Sequence, residues 1–354
     1  MASPSVTIVI LNWNGRHWLE AFLPSVLQTE YPRQEVLVVD NASTDDSCAW
    51  LRSNYPDVRL LELDQNYGFA EGNNRALPHV HTPYFVLLNS DVEVPPGWLR
   101  PLVDWMETHP GVAAMQPKIR AYHQRDHFEY AGAAGGFIDR LGYPFCRGRI
   151  FDTLEADEGQ YDTPQQIFWA TGACLMLRKV MIDRVGLFDG RFFAHMEEID
   201  LCWRLVNRGY EVWCQPASVV YHVGGGTLPQ SNPRKTFLNV RNSLAMLHKN
   251  LPGGRVFPHI LARLLLDGVW SLRLALARDW ASIGAIFQAH WAYLGHLGTW
   301  RKARRELFPP PPRQWPEPGI WSGSVVWAYF VRGKKRWSAL MGKAASITAP
   351  PDAP

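Results

Sequence analysis

With 354 residues, 47% of them hydrophobic and 19% charged, the chain can bury a large core as one big domain with an appendage or as two domains. Its formal net charge of +3 is too small to argue for a nucleic-acid partner, and no zinc-knuckle or RNA-binding signature occurs. Five scattered cysteines without a CxxC (Cys48, Cys146, Cys174, Cys202 and Cys214) fit buried thiols in a reducing cytoplasm better than a disulfide framework.

The opening Met-Ala-Ser-Pro-Ser carries neither a charged nor an apolar leader, so no secretory signal is expected. Val6 to Leu11 is a β-branched run broken by Asn12-Trp13-Asn14-Gly15, and Trp18, Leu19, Phe22, Leu23, Val26 and Leu27 follow at helical spacing. Val36 to Val39 predicts a second strand ending at Asp40, with a helix through Trp50 and Leu51 after it. Val58 to Leu63 predicts a third strand, Asn66-Tyr67-Gly68 the opening of a helix that holds Asn73, and Tyr84 to Leu88 a fourth strand ending at Asn89-Ser90-Asp91. Near-continuous apolar strands alternating with helices indicate an α/β fold, a mostly parallel sheet covered on both faces. Ligands of such sheets bind beyond the carboxyl ends of the strands, which is where Asn12, Asp40, Asn66 and Asp91 fall. No GxGxxG follows the first strand and no GxxxxGK[ST] occurs, so side chains and a metal are expected to hold the ligand.

Residues 110 to 170 read as loops and short strands over the site, with Trp169 a core residue or a platform for a sugar. Thr171-Gly172-Ala173 reads as a tight turn before a strand-like Cys174 to Leu177. The stretch from Phe192 to Arg204 places Glu197, Glu198 and Asp200 in what would be the first turn of a helix. Acids suit a helix N-terminus. Crowded carboxylates in a partly apolar setting can also hold a raised pKa and serve as a general base. Asp91 can cap the helix expected at Trp98 or, as a strand-end carboxylate, share Mg²⁺ or Mn²⁺ with a diphosphate. His222 ends an apolar run beside Gly224, Gly225 and Gly226, whose backbone could approach a phosphate closely.

Taken in order, Val-Val-Asp40-Asn-Ala-Ser-Thr-Asp45, Asn66-Tyr-Gly-Phe-Ala-Glu-Gly-Asn73-Asn74, Leu-Leu-Asn89-Ser90-Asp91, Ala170-Thr-Gly-Ala-Cys-Leu-Met-Leu-Arg178, the Glu197-Glu198-Ile-Asp200 stretch and Tyr221-His222-Val-Gly-Gly resemble the inverting family 2 glycosyltransferases. The branch they look most like contains rhamnosyltransferases of bacterial surface-polysaccharide assembly, and the likeness covers about residues 5 to 250. The resemblance implies a GT-A-like fold, a nucleoside-diphosphate sugar as donor (dTDP-rhamnose first, hexoses open) and a lipid-linked or glycan acceptor. It implies that Asn12, Asp40 and Asn73 line the base and ribose pocket; Asn66 and Asn89, and Thr171 and Gly172 in the turn expected near the acceptor side, are further candidates for binding the nucleotide-sugar. Asp91 takes the place of the metal-binding aspartate, His222 helps hold the metal or diphosphate, and Glu198 stands where a catalytic aspartate is usual. Asn89 for the first acid of the DXD motif and Glu198 for aspartate are two departures, and Glu197 and Asp200 stay as further candidates for the base. A non-catalytic nucleotide-sugar-binding scaffold and a sugar nucleotidyltransferase are the rival readings.

The transferase domain is expected over 1–245, a helical region over 246–340 and a disordered tail over 341–354. Residues 255 to 300 are rich in Leu, Ala, Trp and Phe, and the uncharged run from Trp280 to Trp300 has the length of a membrane span but weak hydropathy. Amphipathic helices on a membrane surface are expected instead. Arg301, Lys302, Arg304 and Arg305, a proline-rich break at 309–312, and Arg332, Lys334, Lys335 and Arg336 fit attraction to anionic lipid at the inner face of the cytoplasmic membrane.

Overall fold

The computed structural model describes residues 3–224, 232–307 and 319–341. The early alternation of apolar runs and amphipathic segments becomes β1 (Val6–Asn12), α1 (Arg16–Leu27), β2 (Gln34–Asp40), α2 (Ser47–Asn54), β3 (Arg59–Glu62), α3 (Gly68–Ala76) and β4 (Tyr84–Asn89). These four strands are parallel in the order β3-β2-β1-β4, with Asn12 opposite Asp40 and Leu11 opposite Asn89.

Beyond β4 the sheet is mixed. The next elements are β5 (Val92–Glu93), α4 (Leu99–Thr108), β6 (Val112–Ala121), β7 (Gly136–Asp139), β8 (Pro144–Cys146), β9 (Arg149–Ile150), β10 (Thr153–Leu154), β11 (Gln165–Ile167), β12 (Cys174–Arg178), α5 (Lys179–Val185), α6 (Glu197–Val206) and β13 (Glu211–His222). β12 runs antiparallel to both β4 and β6, β13 lies parallel to β6, and β11 and β5 pair antiparallel with β13. β6 is a buried ten-residue strand inside the stretch expected to be loops and short strands. Its hydrophobic signal is interrupted by Gln116 and Lys118, which are buried by satisfaction rather than by character: Lys118 Nζ lies 2.8 Å from Asp157 and also bonds Asp162.

Alternation along the strands gives the sheet two apolar faces. Ile8 and Ile10 pack toward Leu19 and Leu23 of α1 and Leu102 and Met106 of α4. Val9 and Leu87 pack on the other side, in a core shared with α3, α5 and α6.

The chain continues as α7 (Pro233–Asn250), α8 (Gly253–Leu276), α9 (Trp280–Gly295), α10 (Leu297–Leu307), β14 (Ile320–Trp321), α11 (Val325–Phe330) and α12 (Trp337–Met341). α7 runs unbroken across position 245, so the expected domain border falls inside a helix. β14 pairs with β7 and completes a second sheet in the order β10-β9-β8-β7-β14. Among the described residues no helix is long and apolar enough to cross a membrane. The proline-rich break at 309–312, Gly225, Gly226 and the tail beyond Met341 lie outside the described residues.

Candidate active site

Parallel pairing brings the polar ends of β1, β2 and β4 to one edge of the sheet. Asn12 Nδ2 donates to Asp40 Oδ1 at 3.0 Å and to Ser43 Oγ at 3.2 Å, while Asp40 Oδ2 accepts the Ser43 amide at 2.8 Å. Asn12 Oδ1 is buried without a hydrogen-bond partner, packed against Gly15. Asn66 lies four residues past β3 rather than at its end, and its Oδ1 receives Asn41 Nδ2 at 3.1 Å and the Gly68 amide at 2.8 Å. Asn73 is buried on α3 and donates to Phe69 O at 2.9 Å.

The turn at Thr171–Ala173 closes on the end of β4, where the Asn89 amide donates to Ala173 O at 3.0 Å. Thr171 is held by Gln116, and Gly172 lies against Phe69. Trp169 is core, its indole N–H donating to Phe137 O at 3.0 Å, so it offers no platform for a sugar.

The end of β13 meets Asp91. His222 Nε2 lies 3.2 Å from Asp91 Oδ1, and its Nδ1 lies 3.1 Å from Glu129 Oε2, out of line for a hydrogen bond. Burial alone would push the imidazole pKa down, but the two carboxylates outweigh it and raise it to about 10, so His222 is an imidazolium between two acids. Asp91 caps no helix, because α4 starts at Leu99 with no side-chain cap. A side chain on Gly224, at φ +73°, would strike Glu129 Oε1 2.5 Å away.

The Asp91 carboxylate, joined by the His222 imidazole once an incoming cation displaces its proton, fits a hard or borderline divalent cation, with Glu129 beside the ring at Nδ1. Among the described residues no three His, Cys, Asp or Glu side chains form an ion cage, so such a cation would draw its other ligands from a diphosphate and water.

The three acids at the start of α6 have different fates. Asp200 is fully buried and fully engaged: Lys249 Nζ at 2.8 Å, Asn250 Nδ2 at 2.8 Å and Arg204 Nε at 3.0 Å all meet its carboxylate. Both of its oxygens are thus taken up by these three side chains. Glu197 is buried, and desolvation together with the adjoining Glu198 raises its pKa well above its ordinary value. Glu198 alone keeps part of its surface exposed, while its Oε2 is shielded and unpartnered. Burial pushes its carboxyl up to about 7 against the first-turn amides, which pull it down.

The segment leading into α6 is strained. Phe193, His195 and Met196 have φ of 67°, 70° and 70°, a region that side chains with a Cβ rarely occupy. It meets the opening of α3, where the Ala70 amide donates to Phe193 O at 3.0 Å. Gly68, at φ +73°, leaves room for the Phe193 ring, which a Cβ would approach to 2.5 Å.

The model of Glycosyl transferase family 2 matches residues 7–186, half of the chain. The chain belongs to this family. The transferase is 30% identical over 240 residues to the N-acetylglucosaminyl-diphospho-decaprenol L-rhamnosyltransferase of Mycobacterium tuberculosis, covering 62% of this chain and 76% of the relative. It is 29% identical over 231 residues to the O-antigen biosynthesis protein RfbC of Myxococcus xanthus, covering 62% of this chain and 17% of that protein. Among solved structures it resembles the mannosyltransferase PcManGT from Pyrobaculum calidifontis in complex with GDP-Man and Mn²⁺, with TM-score 0.50, 18% identity and coverage of 83% and 88% of the two chains. It also resembles TarS residues 1–349 of S. aureus, with TM-score 0.52, 13% identity and coverage of 85% and 90%. The fold is GT-A-like.

Sequence reading passed over three residues of the transferase that the structure brings forward. Asn41 ties the loop after β2 to the opening of α3 through Tyr67 N at 2.9 Å and Gly68 O at 3.0 Å. Glu129 was a lone acid in an aromatic and glycine-rich run, a pattern that could have marked it. Asn242 sits inside an ordinary helical pattern with no local signal.

Proposed function

We propose that the transferase moves a sugar, rhamnose from dTDP-rhamnose first among the choices, onto a hydroxyl of a lipid-linked or glycan acceptor, with inversion, at the inner face of the cytoplasmic membrane. The donor choice is supported by the mycobacterial relative, whose name specifies L-rhamnosyl transfer. Asn12 and Asp40 hold the loop that receives the nucleoside, through Asn12 Nδ2 on Asp40 and Ser43. Asp91, with His222 after loss of its proton to the incoming metal, would hold the divalent cation, Mg²⁺ or Mn²⁺, which when bound supplies charge neutralisation to the leaving diphosphate. A Mn²⁺ ion in the mannosyltransferase structure is consistent with that assignment.

Glu198 takes the proton of the acceptor hydroxyl as its oxygen attacks the anomeric carbon opposite the leaving group. One base and one displacement suffice, unlike the two carboxylates of glycoside hydrolysis. The observation that carries this reading is that Glu198 is the one member of the three acids both partly exposed and unpaired.

The test is release of nucleoside diphosphate from dTDP-, UDP- and GDP-sugars with Mg²⁺, Mn²⁺ or EDTA, a membrane extract supplying acceptor. Metal-dependent release from one donor is expected. Glu198→Gln should keep donor binding by calorimetry and lose roughly 10²–10⁴-fold in transfer, and Asp91→Ala should abolish the metal-dependent part. Undiminished transfer by Glu198→Gln removes the base; silence across the panel with no donor binding turns the reading to a non-catalytic scaffold.

A further inference from the structure

Helix α8 is arranged inside out for a helix on a water-soluble surface. Phe257, Leu261, Leu265, Val269, Leu272 and Leu276 recur every three or four residues, and all are exposed, Leu265 to 65%. Between Phe257 and Leu272 the only charged residues, Arg263 and Asp267, are buried. Arg263 bonds Ser243 Oγ at 2.9 Å and lies over the Tyr143 ring, while Asp267 meets His290 Nε2 at 3.0 Å. α9 repeats the pattern: it holds no Asp, Glu, Lys or Arg, and Trp280, Phe287, Trp291 and Leu294 are exposed, Trp291 to 74%. The patch continues onto Trp327 and Phe330 of α11, because the Arg273 guanidinium lies 5.1 Å over the Phe330 ring. An apolar face of this extent on a folded chain marks an interaction surface.

The charges at its edges specify the partner. Arg273, Arg278, Arg332 and Lys335 are exposed on or just past the last turns of α8 and α11, and Arg301 and Lys302 are exposed on α10; the acids beside them are Asp279, which caps α9, and Glu306, 3.6 Å from Lys302. Arg304 is not among them: it turns inward and donates to His248 O at 2.7 Å. A second copy docked on this face about a two-fold axis would bring like charges together. A leaflet rich in anionic headgroups meets the basic rim with opposite charge, takes the tryptophans at headgroup level and the Leu and Phe side chains below it.

We propose that the outer side of the α8–α9 hairpin, with α11, is the surface by which this protein docks on an anionic lipid bilayer, lying in the interface without spanning it. The surface deepens the membrane-proximal reading above and rests on it.

The experiment is flotation of the full-length protein with vesicles of phosphatidylcholine alone or mixed with phosphatidylglycerol, at low and high salt. Wild type should float with the anionic vesicles and be partly released by salt. Leu265→Glu/Trp291→Glu should lower the partition coefficient by roughly tenfold or more. Arg273→Glu/Lys335→Glu should weaken binding to anionic vesicles and leave binding to neutral ones unchanged. Both variants should bind nucleoside diphosphate as wild type does, which reports that they fold. Absence of wild-type flotation overturns the proposal, as does a concentration-dependent dimer in sedimentation that Leu265→Glu dissociates. Donor turnover without flotation sinks the docking surface and keeps the transferase; flotation without turnover does the reverse.

Discussion

Glu198 shows how one residue's chemistry is set by its neighbours. A carboxyl near 4.5 in water is pushed up to about 7 by burial, so at neutral pH about half of it is ionised and it is basic enough to take a proton. Transfer needs the ionised form, so kcat/KM should rise with pH up to about 7 and level off above it, falling about tenfold per unit on the acid side. Stability runs the other way. The folded state binds this proton more tightly than the unfolded chain, so the stabilisation is complete below about 4.5 and lost as pH rises through about 7. Glu198→Gln should therefore be more stable than wild type at pH 8, by on the order of 1–3 kcal/mol, while losing transfer. A pH–rate profile and denaturant midpoints at pH 5 and pH 8 read both effects; an acid limb that stays in place after Glu198→Asp, or a Gln variant no more stable than wild type at pH 8, would contradict them. At this scale the sequence was most readable where a polar residue terminates an apolar strand, as Asn12, Asp40 and His222 do. It was silent on which of three neighbouring acids is free, because Asp200 is silenced by Lys249 and Asn250, about fifty positions away in the chain.

Two elements aim Glu198, the proposed base. The strained run Phe193–Met196 sets the entry of α6, and α7 holds that run from behind. Asn242 Nδ2 donates to Phe192 O at 3.0 Å, Ala194 O at 2.9 Å and His195 O at 2.7 Å, and Arg241 reaches Phe192 O at 3.0 Å. Lower on the same helix, Lys249 bridges Asp189 and Asp200, clamping α6 to α7. One amide on three carbonyls is a strap on a backbone that would otherwise relax out of the left-handed region. Asn242→Ala should cost about 1–3 kcal/mol in stability. It should also lower kcat roughly 10- to 100-fold with donor KM within about twofold, since misplacing the base by about an ångström affects the transition state more than donor binding. Steady-state kinetics decide it: a variant that loses stability yet keeps kcat would reduce Asn242 to a structural bond. Helix α6 was predicted correctly from its pattern. Its strap could not be, since nothing within α7 distinguishes Asn242 from a surface polar residue.

The whole molecule is less divisible than its composition implies. The first four strands were legible because β1, β2 and β4 are near-continuous apolar runs buried on both faces, and because a helix separates each strand from the next; the edge strand β3 is short and only partly buried. The second sheet was not: its strands are two to four residues long, and β14 joins β7 across some 180 positions. Asp139 fastens that joint, its buried carboxylate accepting the amides of Leu141 and Tyr143 at 2.9 Å on one oxygen and of Val325 at 2.9 Å on the other. Trp337 then inserts between Phe137 and Phe145, with ring centroids 4.6 and 5.8 Å away, and its amide donates to Glu155 at 3.0 Å. The chain after 246 is thus part of the catalytic body on one side and the carrier of the apolar docking face on the other, so deleting it would remove core as well as surface. A point change separates the two. Trp337→Ala leaves α8 and α9 intact and empties a site in the shared core, a loss of about 3–5 kcal/mol. Followed by tryptophan fluorescence and by binding of nucleoside diphosphate, denaturant unfolding should stay a single transition moved to lower denaturant in both signals. An autonomous C-terminal unit would instead give two transitions, with the nucleotide-binding one unmoved.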